Sequence, residues 1–421
     1  MKEISSLYKE FNNSILGNQT NWLSELRANL IDNISKNGFP SKKDEIWKYS
    51  NLNHINDIDF NYFNSKSLGE IEKIHPRNEE NLINIVNNEY IISDTLKKNK
   101  NIIIKNLEES IQDLRNYFFF NDKFFQNDFT IDLNTIFLNS GLCISTSNGA
   151  DIKIVINYDN INSNTTNYLR NIIKVSKNSK LILIENFNNS HSEDNSSNVF
   201  NNFWLEEGAE VEHIIIQDLK PSSRILYSSL VFCYEKSKFN QLSFQVGGNS
   251  TKYQHTGNLM GEDSCINYNG IYFGKEKQFL DNKTKVIHHK ENCESNQIYK
   301  GVLTDESLGV YLSNTLVNPE AQKTKGYQLS RGILLSDKCR LNNKPELKIY
   351  ADDVKCSHGS TIGALDKDQL FYLQSRGLSK AQSENLLIKA FYKDVMKIVS
   401  DENSIIKIEK TIDKWLKDKN E

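Results

Sequence analysis

A small residue, one variable residue and an apolar residue recur at the turns of this chain. The instances are Ser179-Lys-Leu181, Ala209-Glu-Val211, Ser237-Lys-Phe239 and Ser264-Cys-Ile266. The small residues are separated by 30, 28 and 27 positions, and Cys339-Arg-Leu341 has the same form further on. Around these turns lie short apolar runs at 152–156, 172–175, 181–184, 211–216, 230–234 and 242–246. Their β-branched and aromatic content predicts strands, divided by clusters of Asn, Ser, Gly and Lys. A chain with this period and no helices between its strands buries its apolar residues by stacking one coil on the next, as a β-solenoid. A β-sandwich is the rival, because short strands with frequent turns also fit it. The regular interval favours the solenoid.

The flanks read differently. Leu23, Leu26, Leu30 and Ile34 follow helical spacing, and Gly38-Phe-Pro40 stops that helix. Ser41-Lys-Lys-Asp44 has the spacing of a capping box that opens another short helix. Trp47 and Tyr49 then read as anchors of a small helical unit rather than as a binding platform. Residues 88–93 and 100–105 look like strands and 108–120 like helix. Beyond the repeat, Asp366 precedes Leu370, Phe371 and Leu373, and Gly377 suits a helix end. Ser379-Lys-Ala-Gln382 is a second capping-box pattern. Leu387, Phe391, Val395 and Ile398 form one apolar stripe, and Ile405, Ile408, Ile412 and Trp415 another. The expected organisation is an N-terminal helical or mixed region (1–100), a β-helix core (101–365) and a C-terminal helical region (366–421). The C-terminal helices are expected to be dispensable for the solenoid itself.

Composition excludes several classes. With 421 residues and a formal net charge of −3, the chain has no global attraction for nucleic acid. No apolar run approaches the roughly 18 residues of a membrane span, and the N-terminus lacks a signal-peptide core. Six scattered cysteines without C-x-x-C agree with a reducing compartment, so the cytoplasm is the expected location. There is no G-x-x-x-x-G-K-[ST], hence no nucleotide site is expected on this chain, and no G-x-S-x-G or H-E-x-x-H. The Asn-rich stretches, such as 160–167, read as drift in base composition rather than as a ligand site.

One short segment carries chemistry. In Tyr350-Ala-Asp-Asp-Val-Lys-Cys356-Ser-His358-Gly a thiol and an imidazole stand two residues apart. If 349–358 is a strand, both side chains project from one face. Thiolate and imidazole suit iron, iron–sulfur clusters, zinc or copper. A closed site needs about four ligands, so two alone are incomplete. A hydrolase dyad is disfavoured, because side chains at i and i+2 run parallel and are poorly placed for a linear hydrogen bond. His288-His289 with Cys293 and Glu294 is a second grouping, but adjacent strand residues face opposite sides. The same argument makes Asp352-Asp353 a turn or a solvated pair rather than a magnesium site. Cys339, in the repeat, reads as core.

The run Ala321-Gln-Lys-Thr324, Tyr327-Gln-Leu, Leu334-Leu-Ser-Asp337, Lys344-Pro-Glu-Leu347 and Tyr350 to Gly359 resembles the SufB/SufD family of iron–sulfur cluster scaffold proteins. So do Glu291-Asn-Cys293-Glu-Ser-Asn-Gln297-Ile-Tyr-Lys-Gly301 and Gly38-Phe-Pro-Ser-Lys-Lys-Asp-Glu45-Ile-Trp47-Lys-Tyr49-Ser-Asn-Leu52. The Cys-Ser-His-Gly and Phe371-Tyr-Leu-Gln-Ser-Arg-Gly377 wording is closer to the SufD branch than to SufB. The resemblance is dense over about 256–400 and thin over 53–255. It implies a mainly β protein, a right-handed parallel β-helix flanked by helical terminal regions. It implies a non-catalytic subunit that pairs with a SufB-like subunit, docks a SufC-like ATPase and forms a homodimer when isolated. A transient iron–sulfur cluster, or iron, would be shared with the partner through Cys356 and His358. Phe371, Tyr372, Arg376, Leu387 and Phe391 are the implied partner contacts. The alternative is a β-solenoid interaction module with no metal role. Neither nucleic acid nor a membrane is an expected partner.

Overall fold

The recurring turn is a backbone device. In the computed structural model, which describes residues 4–11, 15–17, 20–44, 47–50, 81–86, 89–118, 128–159, 166–188 and 195–420, a left-handed residue precedes each small one. Asn178 (φ 55°), Gly208 (68°), Lys236 (55°) and Asp263 (58°) reverse the chain, as Asn292 (59°) and Lys323 (57°) do in later coils. The small residue that follows is buried against the neighbouring coil, which leaves no room for a longer side chain. The hydroxyls of Ser237 and Ser264 donate to the carbonyls of Tyr234 and Gly261, each at 2.7 Å. Cys293 and Thr324 occupy the same place in later coils. The third residue of the pattern points inward, so Leu181, Val211, Phe239 and Ile266 stack in one register column.

Successive strands alternate between two sheets, one of ten strands and one of nine among the described residues. From Asp151–Asp159 onward every pairing is parallel, coil upon coil. Among the described residues antiparallel pairing occurs only at the N-terminal end, between Leu82–Val86 and Glu89–Ile92 and between Ile102–Asn106 and Leu142–Thr146. Leu82–Val86 already pairs with Asp151–Asp159, so the sheet begins ahead of residue 100. The fold is a parallel β-solenoid with terminal helices, and the sandwich is set aside.

The lumen's middle coils combine apolar and aromatic side chains with a buried polar network. Glu185 accepts hydrogen bonds from Tyr158 at 2.6 Å, Tyr227 at 2.5 Å and Asn201 at 2.8 Å, and pairs with His213 at 2.6 Å. A buried carboxylate persists there because each neighbour donates to it. Asn ladders add to the stack on other faces. Asn240, Asn267 and Asn296 bond amide to amide at 2.8 Å per step, and Asn84, Asn157 and Asn186 do so at 3.0 and 2.9 Å. Some of the asparagine attributed to base composition therefore has a structural use. Residues 160–165 of the Asn-rich stretch lie outside the described residues.

Helix α1 (Ile4–Phe11), helix α2 (Asn21–Asn37) and helix α3 (Phe129–Phe137) close the N-terminal flank around buried Leu23, Leu26, Phe129 and Leu133. Residues 41–44 form turns rather than the expected helix. Asp44 accepts from the Ser41 N–H at 2.7 Å, but Ser41 Oγ accepts from Lys43 instead of Asp44, so the box closes on one side only. Trp47 is buried under Lys252, whose Nζ lies 4.5 Å from the ring centre. Ser50 donates at 2.5 Å to Asp281, which also pairs with Lys252 at 2.7 Å. The motif thus anchors the N-terminal segment to the nine-stranded sheet. Its Glu45, Asn51 and Leu52 lie outside the described residues, as do Phe119 and Phe120 of the helical stretch at 108–120 and Asn88 of the stretch at 88–93.

Helix α4 (Lys367–Ser375), helix α5 (Lys380–Tyr392) and helix α6 (Glu402–Asn420) follow the last strand. The Ser379–Gln382 box opens α5 as expected, with bonds of 2.8 and 3.2 Å. Ile388, Tyr392, Val395, Met396, Ile408, Ile412 and Trp415 cover the outer face of the ten-stranded sheet, against Ile216, Phe244, Ile271 and Phe273. This corrects the expectation that these helices are dispensable. The stripes are occupied by the chain's own sheet, and removing them would expose a large apolar face. Among the described residues no helix is long and apolar enough to cross a membrane. Trp415, 2% exposed with its ring centre 5.0 Å from that of Phe273, is the deepest aromatic anchor of α6. Trp415→Ala should cost about 3–5 kcal/mol in urea unfolding. A loss within experimental error would mean that α6 does not buttress the sheet.

Candidate functional site

The solenoid ends in two edge strands, Arg340–Ile349 in the nine-stranded sheet and Val354–Gly363 in the ten-stranded sheet. The expected strand at 349–358 is therefore shifted. Tyr350-Ala-Asp-Asp is the turn between the two sheets. Asp353 holds it by donating its N–H to Gln322 at 2.9 Å and accepting from the Lys323 N–H at 2.6 Å. Cys356 and His358 still share one strand and one face.

That face looks into the lumen, at its last rung. Reading up the register, Ile266, Ser295, Gly326 and Cys356 form one column, and Tyr268, Gln297, Gln328 and His358 the next. The first column changes from apolar to polar as it approaches the end, and the second, which also holds His213 and Gln241 in earlier coils, is polar over its last three rungs. Gln297 and Gln328 both donate to Thr315, at 2.8 and 2.7 Å, and Gln328 accepts from Ser313 at 3.1 Å. The top of the lumen is thus a hydrogen-bonded polar floor on which the imidazole sits exposed to solvent.

Cys356 is held differently. It is half-buried beside Val317, Ala321 and Ala351. A Cβ on Gly326 would lie 3.2 Å from the Cys356 sulfur, so the absence of a side chain one coil below makes the seat for the thiol. Burial pushes the thiol pKa up, opposed by a hydrogen bond from the Gly326 backbone. The isolated chain therefore keeps this sulfur protonated near neutral pH, and a metal would have to displace the proton. Gly326 was not singled out from sequence, because its pairing with Cys356 spans 30 positions and depends on the register.

The remaining candidates separate from this pair. His288 points inward and is buried, with Ser295 at 2.8 Å and Thr324 at 3.3 Å. His289 lies on the other side, bonded to Asn258 at 3.2 Å and Asn318 at 3.0 Å. Cys293 fills a turn and donates to the Gly261 carbonyl at 3.2 Å. Cys339 is core, its thiol 3.2 Å from the Ser336 carbonyl. All six cysteines are free. Among the described residues no group of three or more His, Cys, Asp or Glu side chains could hold a metal ion. Cys356 and His358 remain a pair, an incomplete donor set at an open end.

Of the implied partner contacts, Phe371 (74% exposed) and Tyr372 (55%) stand out on α4, which buries none of its residues. The Arg376 guanidinium lies 5.2 Å from the Tyr372 ring centre. Leu387 and Phe391 are half-buried, and Phe391 lies under Lys300 at 5.0 Å.

Fold and site together define a β-solenoid that ends on a sulfur–nitrogen donor pair. Residues 155–391 match the family model described as SUF system FeS cluster assembly, SufBD core domain, and residues 1–157 match the SufBD protein N-terminal region. The chain belongs to the SufB/SufD family of SUF-system iron–sulfur cluster assembly proteins and is SufD-like. It is 31% identical over 195 residues to the iron–sulfur cluster assembly protein SufD of Escherichia coli, covering 46% of each chain. It is 31% identical over 193 residues to the chloroplastic protein ABCI7 of Arabidopsis thaliana, covering 46% of this chain and 41% of that one. A SufBD family protein of Pyrococcus horikoshii is 26% identical over 210 residues, 50% of this chain and 46% of that one. The chain spans about half the length of the curated relatives it matches.

Two outcomes test the geometry. Burial lowers the His288 pKa from 6.5 to about 3, so the unfolded chain binds this proton more readily than the folded one. The His288 contribution to stability is present above pH 6.5 and is lost progressively as pH falls toward 3. In urea titrations across that window, His288→Asn should show a flatter pH dependence than the wild type; an equal slope would refute it. Gly326→Ala should push the Cys356 sulfur from its seat. Iodoacetamide labelling of Cys356, followed by mass spectrometry, should then be several-fold faster with an unchanged circular dichroism spectrum. An unchanged labelling rate would contradict the seat.

Proposed function

We propose that this chain is a non-catalytic SufD-like scaffold of a cytoplasmic iron–sulfur assembly complex. It pairs through its open solenoid end with a SufB-like subunit, and the nascent cluster is built at that contact as cargo. Cys356 and His358 supply two ligands, and the partner supplies the rest. A SufC-like ATPase hydrolyses the nucleotide and docks on the C-terminal helices, chiefly the exposed Phe371, Tyr372 and Arg376 of α4. In the absence of partners, the same edges support a homodimer.

The observation that supports this reading most is the placement of Cys356 and His358 on the last rung. A sulfur and a nitrogen donor stand at the open end of the lumen above its polar floor, flanked by two sheet edges that no further coil of this chain pairs among the described residues. An edge with unpaired N–H and C=O groups is a template for another chain. A two-ligand half site releases its cargo more readily than a closed four-ligand site, which suits assembly and transfer. The Cys356 thiol must lose its proton to bind a metal, so assembly weakens as pH falls.

The isolated chain, reconstituted anaerobically with iron and sulfide, should retain no stoichiometric cluster after desalting. In the three-protein complex, His358→Ala should lower cluster content several-fold while size-exclusion elution stays the same. An interface of roughly 1,000 Å² or more does not depend on one exposed imidazole unless that residue is a hot spot. Cys356→Ala should have a milder effect, since part of that side chain's role is packing. Full cluster content in the His358→Ala complex would end the ligand assignment and leave an interaction module.

A further inference from the structure

The outer face of the nine-stranded sheet bears a second feature near the open end. Strands Phe279–His288, Leu308–Val317 and Arg340–Ile349 lie side by side there. Lys283, Lys285, Lys344 and Lys348 line a cleft of about 260 Å³, with Tyr49 among its other lining residues. Glu346 is the single carboxylate among the lining residues, and it pairs with Lys344 at 2.6 Å. Lys283 and Lys344 share a rung across Leu312, two strand spacings or about 9.6 Å apart at the backbone.

This gathering of like charge works against the fold. The side chains of Lys283 and Lys285 form no hydrogen bond or ion pair with the described residues. Burial pushes both ammonium pKa values down; at Lys283 the Asp128 and Asp281 carboxylates oppose it while Lys252 and Lys285 add repulsion, and Lys348 adds repulsion at Lys285. The two acids that act on Lys283 form their hydrogen bonds with other groups. Asp281 pairs with Lys252 at 2.7 Å, and Asp128 accepts from the N–H and hydroxyl of Thr130 at 3.0 and 2.6 Å. Like charges on one sheet face are destabilising, and a partly desolvated ammonium without a hydrogen-bonded counterion among the described residues adds to that cost. Selection for stability alone would place an acid or an apolar residue at these positions.

We propose that this cleft binds a small anion carrying two or more phosphate groups, held by the ammonium groups of Lys283, Lys285, Lys344 and Lys348. A compact anion is favoured because the volume falls just below that of drug-sized pockets. Multivalence follows from lysines on two strands facing one space, since each phosphate oxygen accepts from an ammonium as a charge-assisted bond. Asn314 adds a neutral polar group to the lining. The site is separate from Cys356 and His358, which face the lumen on the other sheet.

Inorganic pyrophosphate is the probe. Titrated calorimetrically into the full chain at low salt, it should bind saturably with one equivalent and weaken steeply with added salt. The Lys283→Met, Lys285→Met double variant should lose about tenfold or more in affinity. The exposed Lys177→Met variant should bind as the wild type does. The double variant should melt no lower than the wild type, because it removes two mutually repelling, partly desolvated charges. Acetylation footprinting of the wild type is independent of how any variant folds. Pyrophosphate should protect Lys283 and Lys285 and leave Lys177 unprotected. Absence of saturable binding, equal affinity in the double variant, or unprotected Lys283 and Lys285 would each overturn the proposal.

Discussion

Parallel in-register stacking is the constraint on which the rest of this molecule depends. Each lumen position must fit the residue directly above and below it. A Cβ on Gly270 would lie 2.1 Å from the Tyr299 ring one coil on, and one on Gly301 would lie 2.3 Å from Tyr272 one coil back. Gly326 beneath Cys356 obeys the same rule. Stability in such a stack comes from interfaces between neighbouring coils, so an end coil has half its partners missing. At the N-terminal end, antiparallel strands and helices α1 to α3 supply them. At the C-terminal end, helices α4 to α6 turn aside, and α5 and α6 buttress the outer face of the ten-stranded sheet. The lumen's last rung, with Cys356 and His358, is left at the edge.

This division explains why the terminal strand has the residues it has. In a middle coil, the positions of Cys356 and His358 would be sealed, as Ser295 and Gln297 are. There an imidazole is pushed neutral by burial, as at His288 and His255. On the last rung the same columns meet solvent, and donors can act outward. The polar amides and hydroxyls just below them separate the donor pair from the aromatic lumen.

Much of this was legible in the sequence where the cause is local. The turn needs a left-handed residue and then a small one, and Asn178-Ser179, Lys236-Ser237 and Asp263-Ser264 carry that locally. The Cys-x-His pair was legible because any strand puts i and i+2 on one face. The start of that strand was misplaced because Ile349 and Tyr350 continue the β-rich composition into the turn that Asp352 and Asp353 make. Features that depend on register were hidden. The Asn240, Asn267 and Asn296 ladder, the Gly326 seat, the Glu185–His213 pair and the lysine cleft each join residues about 30 or more positions apart or on different coils. The helical stripes at 387–398 and 405–415 were seen, but amphipathicity is the same whether a helix packs on its own chain or on another. Burial of Ile388, Tyr392, Ile412 and Trp415 shows that they pack on their own sheet.

The central claim is that the Val354–Gly363 edge is completed by a second chain. Hydrogen–deuterium exchange of this strand, measured for the chain alone and with the proposed SufB-like subunit added, tests it most directly. In a parallel ladder about half of an edge strand's amides point away from its one neighbour. Those amides should exchange rapidly in the isolated chain at low concentration and become protected in the complex. The inward-bonded half should be slow in both states. Unchanged exchange across Val354–Gly363, with protection arising elsewhere on the surface, would contradict the account.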